Sequence, residues 1–262
     1  MEQNSTTDAV YLWRKALRQA LIARREAVPH SQFTAWNDAI TAAIEAGLPV
    51  LSGMVIGFCW PFRGEFDARF AIRHFRALGS QAALPAVVAR GGPLEFRKWW
   101  PGAALKPGVW SIPVPEGTGV LVPDAVLVPV NGFDEQGYRL GYGGAHFDAT
   151  LGAISPRPIA IGVGFELARL ASIQPQPHDI AMDFIVTEAG LHAVVDGALR
   201  KVDAAECEAR ARALRDARGL PRAQPNAASY NSPACYAGEF PGHYDGGAPP
   251  VFDPDPQHPR KK

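Results

Sequence analysis

Between Val10 and Val28 the apolar residues fall at Trp13, Leu17, Ala20 and Leu21, the spacing of one helical face, while Arg14, Lys15, Arg18, Arg24 and Arg25 take much of the remaining surface. This pattern predicts a basic amphipathic helix with Thr7 or Asp8 as its N-cap. A second helix is expected from a Ser31 cap through Phe33, Trp36, Ile40 and Ile44, ended by Gly47 and Pro49. The apolar run 54–59 then reads as a short strand, and Asp67 as the cap of a helix carrying Phe70, Ile72, Phe75 and Leu78. Residues 82–89 and 91–100 are expected strands, the second with Trp99 or Trp100 inward, and 101–115 is a Gly/Pro-punctuated loop containing Trp110. Further strands are expected at 124–130, 157–165 and 182–187, the last of these closing the set, followed by an Ala/Arg/Glu-rich helix at 203–218. Strands alternating with helices point to an α/β layer fold with a largely parallel sheet.

Residues 10–218 are therefore expected to form one domain. From about Gly219 the chain turns to Pro, Gly, Asn and Ser with few aliphatics, so 219–262 reads as an irregular or disordered extension, with an aromatic island from Ser232 to Tyr244. Apolar residues make up 47% of the 262, enough for a sizeable core. Lys plus Arg and Asp plus Glu both number 26, so no global field draws the chain to nucleic acid or to a membrane, and neither is an expected partner. Cys59, Cys207 and Cys235 are scattered and lack CxxC spacing, against a disulfide framework or a zinc site. A reducing cytosol fits this usage. The polar N-terminus and the lack of any apolar run near the roughly 18 to 20 residues of a membrane span give the same expectation of a cytoplasmic protein.

The chemistry concentrates in residues 139–148, Arg-Leu-Gly-Tyr-Gly-Gly-Ala-His-Phe-Asp, which follow an apolar strand and lead into a short helix. Unpaired N–H groups and partial positive charge at a helix start suit a phosphate, and glycines let the main chain approach it. Arg139 adds a fork of donors and Asp148 a hard oxygen ligand for a metal carried on phosphates. A tight surface turn would use the same glycines. The loop lacks the Gly-Lys-Ser/Thr of a Walker A motif, and His146 stands where a dinucleotide fingerprint needs Gly or Ala. Trp60 and Glu65 follow a strand directly, where open α/β sheets place their crevices. His178, Asp179 and Asp183 sit in a rigid turn opened by Pro175 and Pro177.

Read in order, these motifs resemble the 5-formyltetrahydrofolate cyclo-ligase family, also called methenyltetrahydrofolate synthetases. The resemblance covers about residues 12–195. It is carried by Arg-Lys-Ala-Leu-Arg at 14–18 with Arg24-Arg25, Arg63-Gly-Glu-Phe-Asp67, Gly91-Gly-Pro-Leu94, Trp110-Ser-Ile-Pro113, Phe133-Asp134 with Gly137, Arg139-Leu-Gly-Tyr-Gly-Gly144 with Asp148, and Pro177-His-Asp179 with Asp183 and Thr187-Glu188.

The resemblance implies a three-layer α/β/α fold with a mostly parallel central sheet. It also implies an enzyme that uses ATP and Mg²⁺ to convert 5-formyltetrahydrofolate into 5,10-methenyltetrahydrofolate through a phosphorylated formyl oxygen, acting as a monomer or weak dimer. On that pattern Arg14, Arg18, Arg139, Gly141, Tyr142, Gly143, Gly144, Ala145 and Phe147 hold the nucleotide, and Asp148 and Asp179 hold Mg²⁺. Trp60, Glu65, Trp110 and His146 face the reduced folate, and Arg139 and His146 act at the reacting group. The chain departs from the pattern at Arg14, where Lys is usual, and at Gly143-Gly-Ala-His-Phe-Asp148, where the family has Gly-Gly-Gly-Tyr-Tyr-Asp. These changes leave open a divergent paralogue acting on a related N-acyl pterin, or a weakly catalytic binder of folate or nucleotide.

Overall fold

The computed structural model describes residues 2–221. Helix α1 spans Glu2–Glu26, so Thr7 and Asp8 lie within it and do not cap it. Helix α2, His30–Gly47, starts after Pro29, whose ring fixes φ at −56° for the entry; Ser31 falls in the first turn and no side chain caps the helix. Strand β1 (Val55–Phe58) leads through the 59–67 segment to α3 (Arg69–Ala77) and β2 (Gln81–Val87). Ala68 is the cap residue of α3, yet Asp67 serves the same first turn, accepting from the Arg69 N–H at 3.1 Å and pairing with its guanidinium at 2.8 Å.

Strand β3 (Leu94–Trp99) buries Trp99 and leaves Trp100 exposed. The expected loop 101–115 contains a small ribbon, β4 (Leu105–Pro107) with β5 (Pro113–Pro115), because Gly108 and the turn that follows bring the two segments back together. Then come β6 (Val120–Leu121), β7 (Ala125–Pro129), β8 (Gly132–Asp134), β9 (Arg139–Leu140), α4 (His146–Ala153), β10 (Ile159–Val163), β11 (Arg169–Leu170) and β12 (Phe184–Thr187). The expectation that strands end at 187 is wrong. An antiparallel hairpin follows, β13 (Gly190–Val195) and β14 (Ala198–Val202), turned by Asp196-Gly197, both at positive φ. Asp-Gly between apolar runs is a strong hairpin signal that the pattern above passed over. Helix α5, Ala204–Arg218, is capped by Asp203, which accepts from Glu206 N–H at 2.8 Å, and ends on Gly219 at φ +66°.

Nine strands form the main sheet in the order β14-β13-β12-β10-β7-β1-β2-β3-β6. The five central strands are parallel, and antiparallel pairs flank them at both edges. Alternation along the central strands divides the core. Ile56, Phe58, Leu127, Ile159, Ile161, Phe184 and Val186 pack under α2, α3 and α5, whereas Val126, Val128, Ala160 and Ile185 point to the opposite face with Leu151 of α4. The result is three layers. Helix α1 lies on a separate three-stranded sheet, β11-β8-β9, with Leu17 and Leu21 against Leu140, Leu170 and Ile173.

Of the expected extension, Gly219, Leu220 and Pro221 are described, and Leu220 is buried in the main core. The rest, with Cys235 and the aromatic island, lies outside the described residues. Cys59 and Cys207 are free thiols. Among the described residues no helix is long and apolar enough to cross a membrane.

Asp183 closes the fold. Its Oδ1 accepts from Arg157 at 2.7 Å and Arg218 at 2.6 Å, and its Oδ2 from Ala160 N–H and Arg218, both at 2.8 Å, so one carboxylate ties the end of α5 to the sheet. Asp183→Ala leaves two arginines without their counter-charge and is expected to cost roughly 3 kcal/mol. A urea titration checks this: the midpoint should fall with little change in slope.

Candidate functional site

The parallel strands, numbered by chain order, lie in space as second, first, third, fourth, fifth, so the strand order reverses between β1 and β7. Crossovers on either side of that point go to opposite faces, which leaves a crevice beyond the carboxyl ends of the two strands. Segment 59–67 enters it from β1. The loop 139–148 enters it after β7 by way of β8 and β9, which buried Asp134 staples by accepting from Gln136, Tyr138 and Ile173 N–H groups at 3.0 to 3.1 Å. Helix α1 lies over the same end.

The glycine loop is lined by arginines. Arg18 Nε donates to the Gly141 carbonyl, and a Cβ on Gly143 would stand 3.4 Å from the Arg18 guanidinium. Gly141 allows the side chain of Arg139 to pass against it. Arg139 donates to Asp148 Oδ2 at 2.9 Å, lies over the Phe147 ring at 5.2 Å, and keeps a buried Nε with no hydrogen-bond partner. Burial lowers the pKa of Arg139, opposed by Asp148 and Asp179. Asp148 Oδ1 accepts from Ile180 N–H at 3.1 Å. Arg14 holds Asp179 at 2.6 Å and donates to the Ile173 and Gln174 carbonyls, both at 2.9 Å. Burial alone would raise the Asp179 pKa, but the Arg14 hydrogen bond and the Gln176 N–H bring it below the usual aspartate value.

A second group gathers beside this loop. Tyr142 sets its ring 5.8 Å from Trp110 and 5.8 Å from Phe62, making an aromatic wall. Its hydroxyl accepts from Arg25 at 3.0 Å. Glu65 is 5% exposed; Oε2 accepts from Phe62 N–H at 3.1 Å, and Oε1 has no hydrogen-bond partner. Burial raises the Glu65 pKa against the pull of Arg25, of the Tyr142 hydroxyl and of Phe62 N–H. An unpaired buried acceptor beside an aromatic wall is suited to the donors of a planar ligand.

The sequence-derived residues thus fall into two joined clusters. Arg14, Arg18, Arg139, Gly141, Gly143, Phe147, Asp148 and Asp179 form one, and Glu65, Trp110 and Tyr142 the other. His146 Nδ1 lies 2.9 Å from the Gly92 carbonyl, so it ties the loop to the turn before β3. Trp60 packs otherwise: the Arg69 guanidinium covers its ring at 4.5 Å, and Trp99 meets it edge-on at 6.3 Å. Sequence reasoning gave no site role to Arg25, Asn131 or Phe62, although Arg25 stands in one of the motifs that carry the resemblance. For Arg25 the signal was present, since 14, 18, 21 and 25 run down one face of α1, and the arginines extend the stripe that buried Leu21 marks.

A family model described as the 5-formyltetrahydrofolate cyclo-ligase family matches residues 10–188. This chain belongs to that family. A 5-formyltetrahydrofolate cyclo-ligase from Mycolicibacterium smegmatis is 29% identical over 181 residues, 65% of this chain and 91% of that protein. The solved 5,10-methenyltetrahydrofolate synthetase of Mycoplasma pneumoniae superposes with a TM-score of 0.56 at 20% identity, over 67% of this chain and 98% of its own. That of Aquifex aeolicus, solved by NMR, gives 0.61 at 22% identity over 72% and 96%. These likenesses agree with the three-layer fold.

For a cyclo-ligase family member the donor set suits a nucleotide phosphate with Mg²⁺. Mg²⁺ takes one or two protein carboxylates and fills its remaining positions with phosphate oxygens and water. Among the described residues no group of three His, Cys, Asp or Glu could hold a metal alone, and both aspartates are neutralised by arginine. Asp148 and Asp179 are the two carboxylates that such a cation would use, and phosphate oxygens and water would have to supply the rest of its positions.

The family's third loop glycine is replaced by Ala145, which adopts φ +51°, ψ +12° at the start of α4. An L-residue there carries roughly 1 kcal/mol of strain. Ala145→Gly is expected to raise stability by up to about 1 kcal/mol, part of the gain being offset by the freer unfolded chain; thermal unfolding checks the sign. Glu65 supplies a second prediction. Its folded pKa is raised, so the stability it gives below the ordinary glutamate range is lost as pH rises through the raised value. Glu65→Gln should therefore be more stable than the parent at neutral pH, with the gap closing on acidification in denaturant titrations run across that range.

Proposed function

We propose that the protein closes 5-formyltetrahydrofolate to 5,10-methenyltetrahydrofolate with ATP and Mg²⁺, releasing ADP and phosphate. Family membership supports the ligase activity. The observation that carries the finer reading is Tyr142, a member of the glycine loop whose ring builds the wall beside Trp110 and whose hydroxyl reaches toward Glu65. A phosphate-binding loop and a pocket for a planar ring thereby share one residue, as transfer between the two ligands requires.

The formyl oxygen on N5 is a poor leaving group, and ATP supplies the chemistry that turns it into phosphate. What remains for the protein is positioning and charge stabilisation. Arg14, Arg18 and the loop from Gly141 through Gly143, Gly144, Ala145 and Phe147 receive the polyphosphate. Arg139 stands at the transferred group, with its unpaired Nε available. Asp148 and Asp179, which their arginines hold in place, are the carboxylates that would hold the cation, whose chemistry would be to neutralise the phosphate charge. Glu65 accepts the ring N–H donors of the pterin through its unpaired Oε1, and Trp110 with Tyr142 bounds the folate side. His146 lies next to the reacting group; its Nδ1, bonded to Gly92, fixes the ring so that Nε2 stays by Gly144. The two thiols left unpaired, Cys59 and Cys207, suit work in a reducing cytosol.

Mixing the protein with 5-formyltetrahydrofolate, ATP and Mg²⁺ is expected to give the methenyl absorbance only when all three are present. Folate binding without ATP-dependent product would overturn the reading in favour of a binder or of a related N-acyl pterin substrate. In the same assay Asp148→Asn should raise the Mg²⁺ concentration needed for half activity and lower kcat by about 10²-fold. Unchanged Mg²⁺ dependence removes Asp148 from the ligand set.

A further inference from the structure

We infer that Arg25 is the positioning residue of this site, holding the Glu65 carboxylate and the Tyr142 hydroxyl in one register. The inference rests on the folate reading for what Glu65 binds, but not for how Arg25 acts on it.

Arg25 is 5% exposed and uses its whole fork within the protein. Nε donates to the Arg63 carbonyl at 3.0 Å, Nη1 to Asn131 Oδ1 at 2.7 Å and Nη2 to the Tyr142 hydroxyl at 3.0 Å. These partners come from three separate parts of the chain: the turn after β1, the end of β7 and the glycine loop. Arg63 is held at φ +52°, and the next residue, Gly64, at +71°. The last turn of α1 supports this unusual turn twice, through Arg25 on the Arg63 carbonyl and through Glu26, which takes the Arg63 guanidinium at 2.7 and 2.8 Å. Glu65 follows directly, so its carboxylate is aimed by a strained turn that α1 holds in place.

The second effect is electrostatic. Arg25 faces Glu65 from α1, Tyr142 from the loop after β9, Phe62 N–H from its own turn, and the Cys59 thiol from the end of β1, where Arg139 approaches Cys59 in turn. Of the groups acting on Glu65, Arg25 is the one with positive charge. Arg25 donates to the Tyr142 oxygen, so the phenolic proton remains free to be given to another acceptor, and Glu65 lies close enough to act on the same hydroxyl. Arg25 thus pulls the Glu65 pKa back against its burial, and a planar guanidinium meeting three acceptors is a role that lysine cannot reproduce.

The test follows Glu65 directly. In the ligand-free protein, carboxyl-labelled NMR should show its titration moving to higher pH in Arg25→Gln and, by less, in Arg25→Lys and Tyr142→Phe. The pH at which 5-formyltetrahydrofolate binding is lost should rise in the same order, and at neutral pH Arg25→Gln should lose roughly tenfold or more in affinity. In a Glu65→Gln background the Arg25 change should leave the pH profile where it is. An unmoved Glu65 titration, or an affinity loss equal at every pH, would show Arg25 to be a structural tie only. If Arg25→Gln does not fold, Tyr142→Phe removes the same link without changing core volume, and its unchanged titration would equally overturn the inference. Failure of the parent to bind 5-formyltetrahydrofolate at any pH sinks the folate reading instead, and the ligand-free titration then decides Arg25 alone.

Discussion

The reversal of strand order between β1 and β7 is the constraint on which the rest depends. Parallel strands need crossovers, and crossovers that leave for opposite faces part at the carboxyl ends of the strands between them. The segment after β1 and the loop that follows β9 must therefore enter the same crevice, although more than seventy positions separate Glu65 from Tyr142 in the chain. Helix α1, seated on the small sheet of β8, β9 and β11 by Leu17 and Leu21, then covers that crevice with its arginine face.

Gathering Arg14, Arg18, Arg25 and Arg139 in one place would be unfavourable without counter-charge, since desolvation of a guanidinium is expensive. The chain answers with Asp179 for Arg14, Asp148 for Arg139, the Gly141 carbonyl for Arg18, and Asn131, Tyr142 and the Arg63 carbonyl for Arg25. Two of the four guanidinium groups are thus paired with carboxylates, and the other two rest on neutral acceptors. Strained backbone collects in the same region, with Arg63, Trp110, Ser111, Ala145 and Gln174 all at positive φ. Such conformations persist where surrounding contacts over-determine them, as the Arg25 and Glu26 contacts do for Arg63.

Periodicity was enough to read the helices and the central strands, because buried parallel strands are apolar throughout and amphipathic helices repeat their apolar stripe. It was weaker at the margins. Helix α1 begins before its expected cap because residues 2–8 contain neither Gly nor Pro to stop it. The β13–β14 hairpin escaped because Leu191, His192 and Ala193 are all buried, which removes the alternation that marks a half-exposed strand. The ribbon of β4 and β5 lies among so many Gly and Pro residues that it read as loop.

By itself the sequence determined the layered fold, the family and most members of the two clusters, since glycines before a helix, an arginine at i and i+4 and a carboxylate after a strand are local patterns. Which of those residues meet was decided by tertiary structure alone. Nothing local pairs Arg14 with Asp179, puts the Tyr142 hydroxyl against Arg25, or turns Trp60 toward Arg69 and Trp99. Nor does a sequence distinguish Asp183, which fastens α5 to the sheet, from Asp179 four residues before it in the crevice. Local pattern reports what a residue can do, while charge pairing and burial depend on groups brought together by the sheet order, and only the folded chain supplies those distances.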